Sequence, residues 1–182
     1  MDYNMRMINR AGLDLIKKSE NDNDPKAGYR VTPSGEVYFV PYIDPVGVCT
    51  IGFGTIMYED GTHVTMRDPI ISLERAYALL QYEAREKAEH VDSFLRRHNI
   101  TANDNQFAAL VSLAYNIGVG VITNMDSSVR SALIKRNPEA LKKAFRLYVK
   151  GTKKIFGIPR KVTLPGLVER RERELALYFK VV

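Results

Sequence analysis

Two carboxyls and a hydroxyl frame one short stretch of this chain. Glu20 closes an apolar-periodic segment, while Asp44 and Thr50 lie within the run Tyr42-Ile43-Asp44-Pro45-Val46-Gly47-Val48-Cys49-Thr50-Ile51-Gly52-Phe53-Gly54. An acid, a second acid and a hydroxyl brought to one cleft suit hydrolysis of a sugar–sugar bond. One carboxyl, held protonated, donates to the leaving oxygen, and an ionised one on the opposite side steers water or stabilises positive charge. Glu20 is the candidate acid. It follows Ile8, Ala11, Leu15 and Ile16, so the sequence predicts a carboxyl leaving a rigid helix beside core residues, where desolvation favours the neutral form. Asp44, followed by Pro45 and then Gly47, is expected in a wetter turn between strand-like runs, ionised. Thr50 falls in the β-branched run Val48-Cys49-Thr50-Ile51, and strand alternation puts it on the side of Asp44 only if the turn permits.

Those residues carry a resemblance. Glu20 after Gly12-Leu13-Asp14-Leu15-Ile16-Lys17-Lys18, then Tyr42-x-Asp44-x-x-Gly47-x-x-Thr50-Ile51-Gly52-Phe53-Gly54, resembles the active-site region of the phage-type lysozymes, glycoside hydrolase family 24. Asn105-Gln106-Phe107-Ala108-Ala109-Leu110-Val111-Ser112-Leu113-Ala114-Tyr115-Asn116-Ile117-Gly118 is similar to that family's central buried helix. Gly166-Leu167-Val168-Glu169-Arg170-Arg171-Glu172-Arg173-Glu174 resembles its closing helix. The resemblance implies a muramidase that cleaves the β-1,4 bond between N-acetylmuramic acid and N-acetylglucosamine in peptidoglycan, with Glu20, Asp44 and Thr50 as catalytic residues and no cofactor. It also implies substrate contacts at Ile56, Tyr115 and Ser127, with Ser128 as the alternative match.

The chain departs from that family's pattern between the two acids. Asn21 to Ile43 intervene, and Tyr29-Arg30-Val31-Thr32 and Glu36-Val37-Tyr38-Phe39-Val40 around Pro33-Ser34-Gly35 read as an added β-hairpin. It either rims the cleft or is a surface insertion, since loops tolerate insertions. Thr55 stands where a histidine often follows the glycine-rich strand, and Tyr148 where a tryptophan is expected.

The elements that must position these residues follow from pattern and composition. At 182 residues and 45% hydrophobic, the chain suits one domain with an ordinary core. The order of helix, hairpins to about Val64, then helices predicts an α+β fold. On the resemblance this is lysozyme-like, with a β-rich lobe over about 20–64 and a helical lobe over about 98–182. The first helix packs on the helical lobe, and a long helix joins the two. Ser72 is placed to N-cap that helix through Arg97, with Leu73, Ala76, Leu79, Leu80, Ala84, Ala88, Val91 and Leu95 on one side. Thr101-x-x-Asp104 reads as a capping box before the apolar run Phe107 to Ile117, which is expected to be central. Asn137-Pro138 starts a helix through Val149. Gly151 to Leu164 reads as a basic loop, and a last helix runs from about Pro165 to Phe179.

Charge is uneven: Arg130 to Val182 holds 15 Lys and Arg against 4 Glu, in a chain of net charge +6. This is either a docking surface for an anionic bacterial envelope or a solvated face. Charge alone supports sequence-independent nucleic-acid binding, but no groove-reading or base-stacking motif points to a specific nucleic-acid partner. The single cysteine, Cys49, is expected as a buried strand thiol in a reducing compartment rather than a nucleophile. The stretch Met1 to Arg6 lacks the apolar core of a secretory signal, and no apolar run reaches membrane-span length. The expectation is therefore a monomer made in the host cytoplasm, and the resemblance implies that it reaches the periplasm or wall through a holin or by virion delivery. His63, His90 and His98 have no metal-ligand spacing, Asn21-Asp22-Asn23-Asp24 lacks the pattern of a calcium loop, and Gly52-Phe53-Gly54 is too short for a phosphate loop. Two other classes stay open: a lytic transglycosylase using Glu20 alone, and a non-catalytic binding protein of the wall.

Overall fold

The computed structural model describes residues 6–20, 25–44, 47–155 and 158–181. The Asn21 to Asp24 stretch and the residues up to Met5, on which two of the sequence expectations rest, lie outside them. The fold is α+β, and it forms two compact units, one of Ile16–Glu86 and one of Met1–Leu15 with Lys87–Val182.

Helix α1 (Arg10–Glu20) begins where the Asn9 carboxamide accepts a hydrogen bond from the Gly12 amide at 2.9 Å. That bond satisfies one of the amides a helix start leaves without a partner. Leu13, Leu15 and Ile16 recur on one face and are buried. After a short 3₁₀ turn at Pro25–Ala27 come β1 (Tyr29–Val31) and β2 (Val37–Phe39). They pair antiparallel with Tyr29 opposite Phe39, so the inserted hairpin expected from the sequence is present. Its turn closes through the Gly35 amide on the Thr32 carbonyl and the Glu36 amide on the Thr32 hydroxyl.

The hairpin is not an appendage. Strand β2 also pairs with β5 (Ile71–Ser72), and Phe39 is fully buried. Its ring stands edge-on to Phe53 at 5.0 Å, and Phe53 stands likewise to Tyr77 at 5.1 Å. Such pairs add to the area they bury. These rings, with Ile16, Ile51, Leu79 and Leu80, make the core of the Ile16–Glu86 unit. Between β2 and β5 in sequence comes a separate two-stranded sheet, β3 (Tyr42–Ile43) and β4 (Cys49–Thr50). Helix α2 (Leu73–Arg97) opens at Ser72, whose hydroxyl accepts from the Arg75 amide at 3.2 Å, and it buries the stripe from Ala76 through Leu95 that the sequence predicts.

In the other unit, α3 (Asp104–Ile117) buries every residue from Phe107 to Ala114, which makes it the central helix. Its capping box is Asn103 with Gln106, not Thr101 with Asp104. The Asn103 carboxamide accepts from the Gln106 amide at 2.9 Å, and the Gln106 side chain accepts from the Asn103 amide at 3.0 Å. The same signature recurs two residues downstream of the expected one, and the helix starts where both reciprocal bonds form. Short helices α4 (Gly120–Thr123), α5 (Ser128–Ile134) and α6 (Pro138–Phe145) follow. Asn137 caps α6 with Pro138 in its first turn, as read, but the helix ends at Phe145 rather than Val149. The Val149 carbonyl instead accepts from the Leu164 amide and leads the chain into a sheet.

That sheet corrects a second expectation. The basic stretch is no loop but an antiparallel hairpin of β6 (Lys150–Ile155) and β7 (Ile158–Thr163), with Lys150 opposite Thr163 and Lys153 opposite Arg160. Like charges set opposite each other disfavour pairing, so a reading led by charge misses it. Helix α7 (Pro165–Tyr178) closes the fold against α3 through a buried polar cluster. Ser112 donates to Glu174 at 2.8 Å, and Arg171 donates to Glu174 at 3.0 Å and to Asn116 at 2.9 Å. Burial pushes the Glu174 carboxyl up, against the pull of the two arginines and Ser112.

Candidate active site

The β3–β4 hairpin sets two of the three expected catalytic residues by arithmetic of register. Tyr42 lies opposite Thr50 and Ile43 opposite Cys49. Opposed residues share a face and alternate residues along a strand share a face. Asp44, two after Tyr42, therefore comes to the face that carries Thr50.

Val48 fixes both. Its carbonyl accepts from the Asp44 amide at 2.9 Å and from the Thr50 hydroxyl at 3.1 Å, while its own amide donates to Asp44 Oδ1 at 2.8 Å. The Gly47 amide reaches the Asp44 carbonyl at 3.0 Å to close the turn, and Gly47 sits at φ +89°, a conformation that favours glycine. Asp44 is half-exposed and Thr50 buried, whereas Glu20 is exposed, so the expected contrast of a wetter Asp44 and a desolvated Glu20 is reversed.

Glu20 is the last residue of α1. The helix reaches the hairpin's neighbourhood through Lys17, whose ammonium lies 5.4 Å from the Phe53 ring centre and 5.7 Å from that of Tyr77. A cation over two aromatic faces anchors the final turn of the helix, and Phe53 stands three residues after Thr50. Glu20 itself is exposed. The expected desolvation beside core residues is absent, because the buried stripe of α1 ends at Ile16, a full turn earlier.

Downstream of β4 the glycine-rich run folds back on itself. The Ile51 and Thr55 amides and carbonyls bond reciprocally at 2.9 and 3.0 Å, and Thr55 is buried. Gly52 has φ +64°, and a Cβ there would stand 3.3 Å from the Ala76 methyl, so the glycine lets this turn lie close on α2. Ile56 emerges from the turn 47% exposed. Cys49 is half-buried rather than buried.

Glu20, Asp44, Thr50 and Ile56 all belong to the Ile16–Glu86 unit, whereas Tyr115 and Ser127 belong to the other. Tyr115 is half-buried near the end of α3. Ser127 is a buried N-cap: its hydroxyl accepts from the Arg130 amide at 3.3 Å and donates to the Val121 carbonyl. It lines a depression of about 540 Å³ with Ile117, Asn124, Met125, Asp126 and Tyr148. Ser128, the alternative, is exposed and opens α5. Sequence reading passed over Lys17 and Val48 because neither residue type advertises its role: Val48 acts through its backbone, and Lys17 through rings distant in sequence. Among the described residues no group of three or more metal-ligating side chains converges.

A small-sheet unit carrying this hairpin, with a helical unit built on a buried central helix, defines a lysozyme-like α+β fold. The chain matches the Phage lysozyme family model over residues 36–174 and belongs to that family. It is 32% identical to the endolysin of Salmonella phage P22, covering 96% of this chain and 99% of that one. It is 30% identical to the endolysin of Bacillus phage B103, covering 94% of this chain and 53% of the relative, so it spans about half that protein's length. Among solved structures, the endolysin from Escherichia coli O157:H7 phage FAHEc1 superposes with a TM-score of 0.73 at 30% identity, covering 97% of this chain and 96% of that one.

Proposed function

We propose that this chain is a muramidase that hydrolyses the β-1,4 bond between N-acetylmuramic acid and N-acetylglucosamine in peptidoglycan, serving as a phage endolysin in host-cell lysis. The observation that carries the reading is the hairpin on which the backbone of one residue, Val48, bonds both Asp44 and Thr50. Membership of the phage lysozyme family supports it.

In this reading Glu20 gives its proton to the glycosidic oxygen as the bond to the anomeric carbon breaks. The bound glycan, rather than the fold, supplies the desolvation that the exposed Glu20 lacks. A water held by Asp44 and Thr50 attacks the anomeric carbon from the opposite face and passes its proton to Asp44. A carboxylate offers about four acceptor sites, so the bond to Val48 leaves capacity for that water. The Thr50 hydroxyl, spending its proton on Val48, keeps lone pairs to accept from the same water. Ile56, Tyr115 and Ser127 are assigned to glycan contact, with Ser127 acting through the wall of its depression.

The proposed site of synthesis is the host cytoplasm, with passage to the wall through a holin or by virion delivery; no helix among the described residues is long and apolar enough to cross a membrane. The proposed working form is a monomer, drawn to the anionic envelope by its basic C-terminal stretch.

The test is the chemistry of the new chain ends. Digested peptidoglycan should show reducing ends that appear first as the α-anomer, the outcome of single inversion by carboxyls roughly 6.5–9.5 Å apart. Products ending in 1,6-anhydromuramic acid would instead establish a transglycosylase, for which a water-holding pair has no use. Absence of any cleavage would leave a wall-binding protein.

A further inference from the structure

The second half of α2 carries a face that glycan cleavage does not use. His90, Ser93, Phe94, Arg97 and His98 follow the spacing of a single helical stripe, and they line a depression of about 240 Å³ together with Thr123, Met125 and Arg130. No carboxylate lines it. Phe94 is buried and forms the floor, with the His98 ring packed against it at 4.7 Å. That contact fixes one imidazole at the rim.

Several arginines of this unit find acidic partners. Arg6 meets Asp104, Arg96 meets Asp92, Arg146 meets Glu172, Arg171 meets Glu174 and Arg173 meets Glu169. At Arg97 and Arg130, as at the exposed Arg160 of β7, the guanidinium has no hydrogen bond or ion pair among the described residues, and of these three only Arg130 is half-buried. Arg97 and Arg130 come from different helices, α2 and α5, and converge on one small hollow with two imidazoles and the Ser93 hydroxyl. A half-buried guanidinium with no protein acceptor keeps its donors for solvent or for an anion that enters the hollow.

We propose that this depression binds a phosphate or phosphodiester group. A tetrahedral oxyanion presents acceptors in several directions at once, which suits donors approaching from two helices. Guanidinium forks match phosphate oxygens in geometry as well as charge. A planar carboxylate would engage one fork and leave the other donors unused. The site lies wholly within the helical unit and its existence does not depend on whether the chain cuts glycans.

The experiment is titration of the full chain at constant pH and ionic strength, followed through the imidazole resonances of His90 and His98. Inorganic phosphate, dimethyl phosphate and acetate are added in separate arms. The expected result is a saturable shift with phosphate and a far weaker one with acetate. Saturation by dimethyl phosphate as well identifies the diester linkage of an envelope polymer as the source, and saturation by inorganic phosphate alone identifies the free ion; both outcomes keep the site. Arg97→Gln and Arg130→Gln should each weaken phosphate binding about tenfold or more, the usual worth of a charge-assisted contact. Lys161→Gln on β7, an equal loss of charge elsewhere, should not. Ser93→Asp, at an exposed position, supplies a second variant that should abolish binding by placing a carboxylate in the hollow. A response that rises without saturating overturns the proposal. So does equal binding of acetate, or Arg97→Gln and Arg130→Gln variants that match the unaltered chain.

Discussion

Glu20, Asp44 and Thr50 illustrate how far residue types reach unaided. The order and spacing of an acid, a second acid and a hydroxyl pointed to a glycosidic chemistry, and strand alternation allowed Asp44 and Thr50 one face. The sequence left open whether the turn would permit it, because that depends on Gly47 at φ +89° and on Val48, whose contribution is entirely backbone. Glu20→Gln should lower turnover by about 10²–10⁴-fold, the usual worth of general acid help. Its unfolding midpoint should hold, since Glu20 is exposed. Wild-type activity in that variant would remove Glu20 from the mechanism. At position 50 a pair of substitutions is sharper: Thr50→Ser keeps the hydroxyl and should retain turnover, while Thr50→Val keeps the branched shape and should lose it. The Val48 carbonyl still accepts from the Asp44 amide in both, so stability should change by no more than about 1 kcal/mol. A Thr50→Val chain with full activity would show that no water is held there. Tyr58 gives a test of the same unit by pH. Burial, then the Asp68 carboxylate that accepts its hydroxyl proton at 2.9 Å, push its phenol up to about 12. An unfolded tyrosine ionises near pH 10, so between about 10 and about 12 the folded chain holds a proton the unfolded one has lost, and stability falls as pH rises through that window. Asp68→Asn should bring the Tyr58 titration down, read from tyrosinate absorbance; an unchanged alkaline limb would mean that the pair does not couple.

At the scale of elements, helices whose apolar faces are continuous were legible and those set by tertiary pairing were not. The run Phe107 to Ala114 announced a central helix, and Ser72 and Asn137 announced their caps, because each is a local signal. The end of α6 was hidden, since Val149 leaves the helix for a bond to Leu164, and β6–β7 was hidden because its pairing runs against its charge. The hairpin of β1 and β2 was legible as a hairpin, but its standing was not. An insertion that merely decorates a surface would tolerate replacement by a short loop at small entropic cost. Phe39 argues the opposite, being fully buried in contact with Phe53, with β2 also holding β5. Replacing residues 23–39 with a Gly/Ser loop should therefore abolish cooperative unfolding of the unit rather than trim its rim. Phe39→Ala alone should cost about 3–5 kcal/mol, the range for emptying an aromatic site in a core. Chemical denaturation measures both, and a replaced loop with an unchanged midpoint would return the hairpin to the status of an ornament.

Over the whole molecule, charge is the property that composition states most directly. A net charge of +6 conceals a stretch from Arg130 to Val182 with 15 Lys and Arg against 4 Glu. Several of those cations are spent internally: Arg146 on Glu172, Arg171 on Glu174 and Arg173 on Glu169. Composition could not foresee that, since which arginines are neutralised depends on which helices meet. The β6–β7 hairpin keeps Lys150, Lys153, Lys154, Arg160 and Lys161 on two short strands with no acid between them. If this charge draws the protein to an anionic envelope, the attraction acts over a distance that salt controls, falling to about 8 Å near physiological ionic strength. Lysis of permeabilised whole cells should then decline steeply as salt rises, while cleavage of a short neutral chito-oligosaccharide changes little, because the latter step senses only the site. A chain carrying Lys150→Gln, Arg160→Gln and Lys161→Gln should lose most of the salt dependence on cells and keep its rate on the oligosaccharide. Equal salt sensitivity on the two substrates would assign the effect to catalysis and reduce the basic stretch to a solvated face.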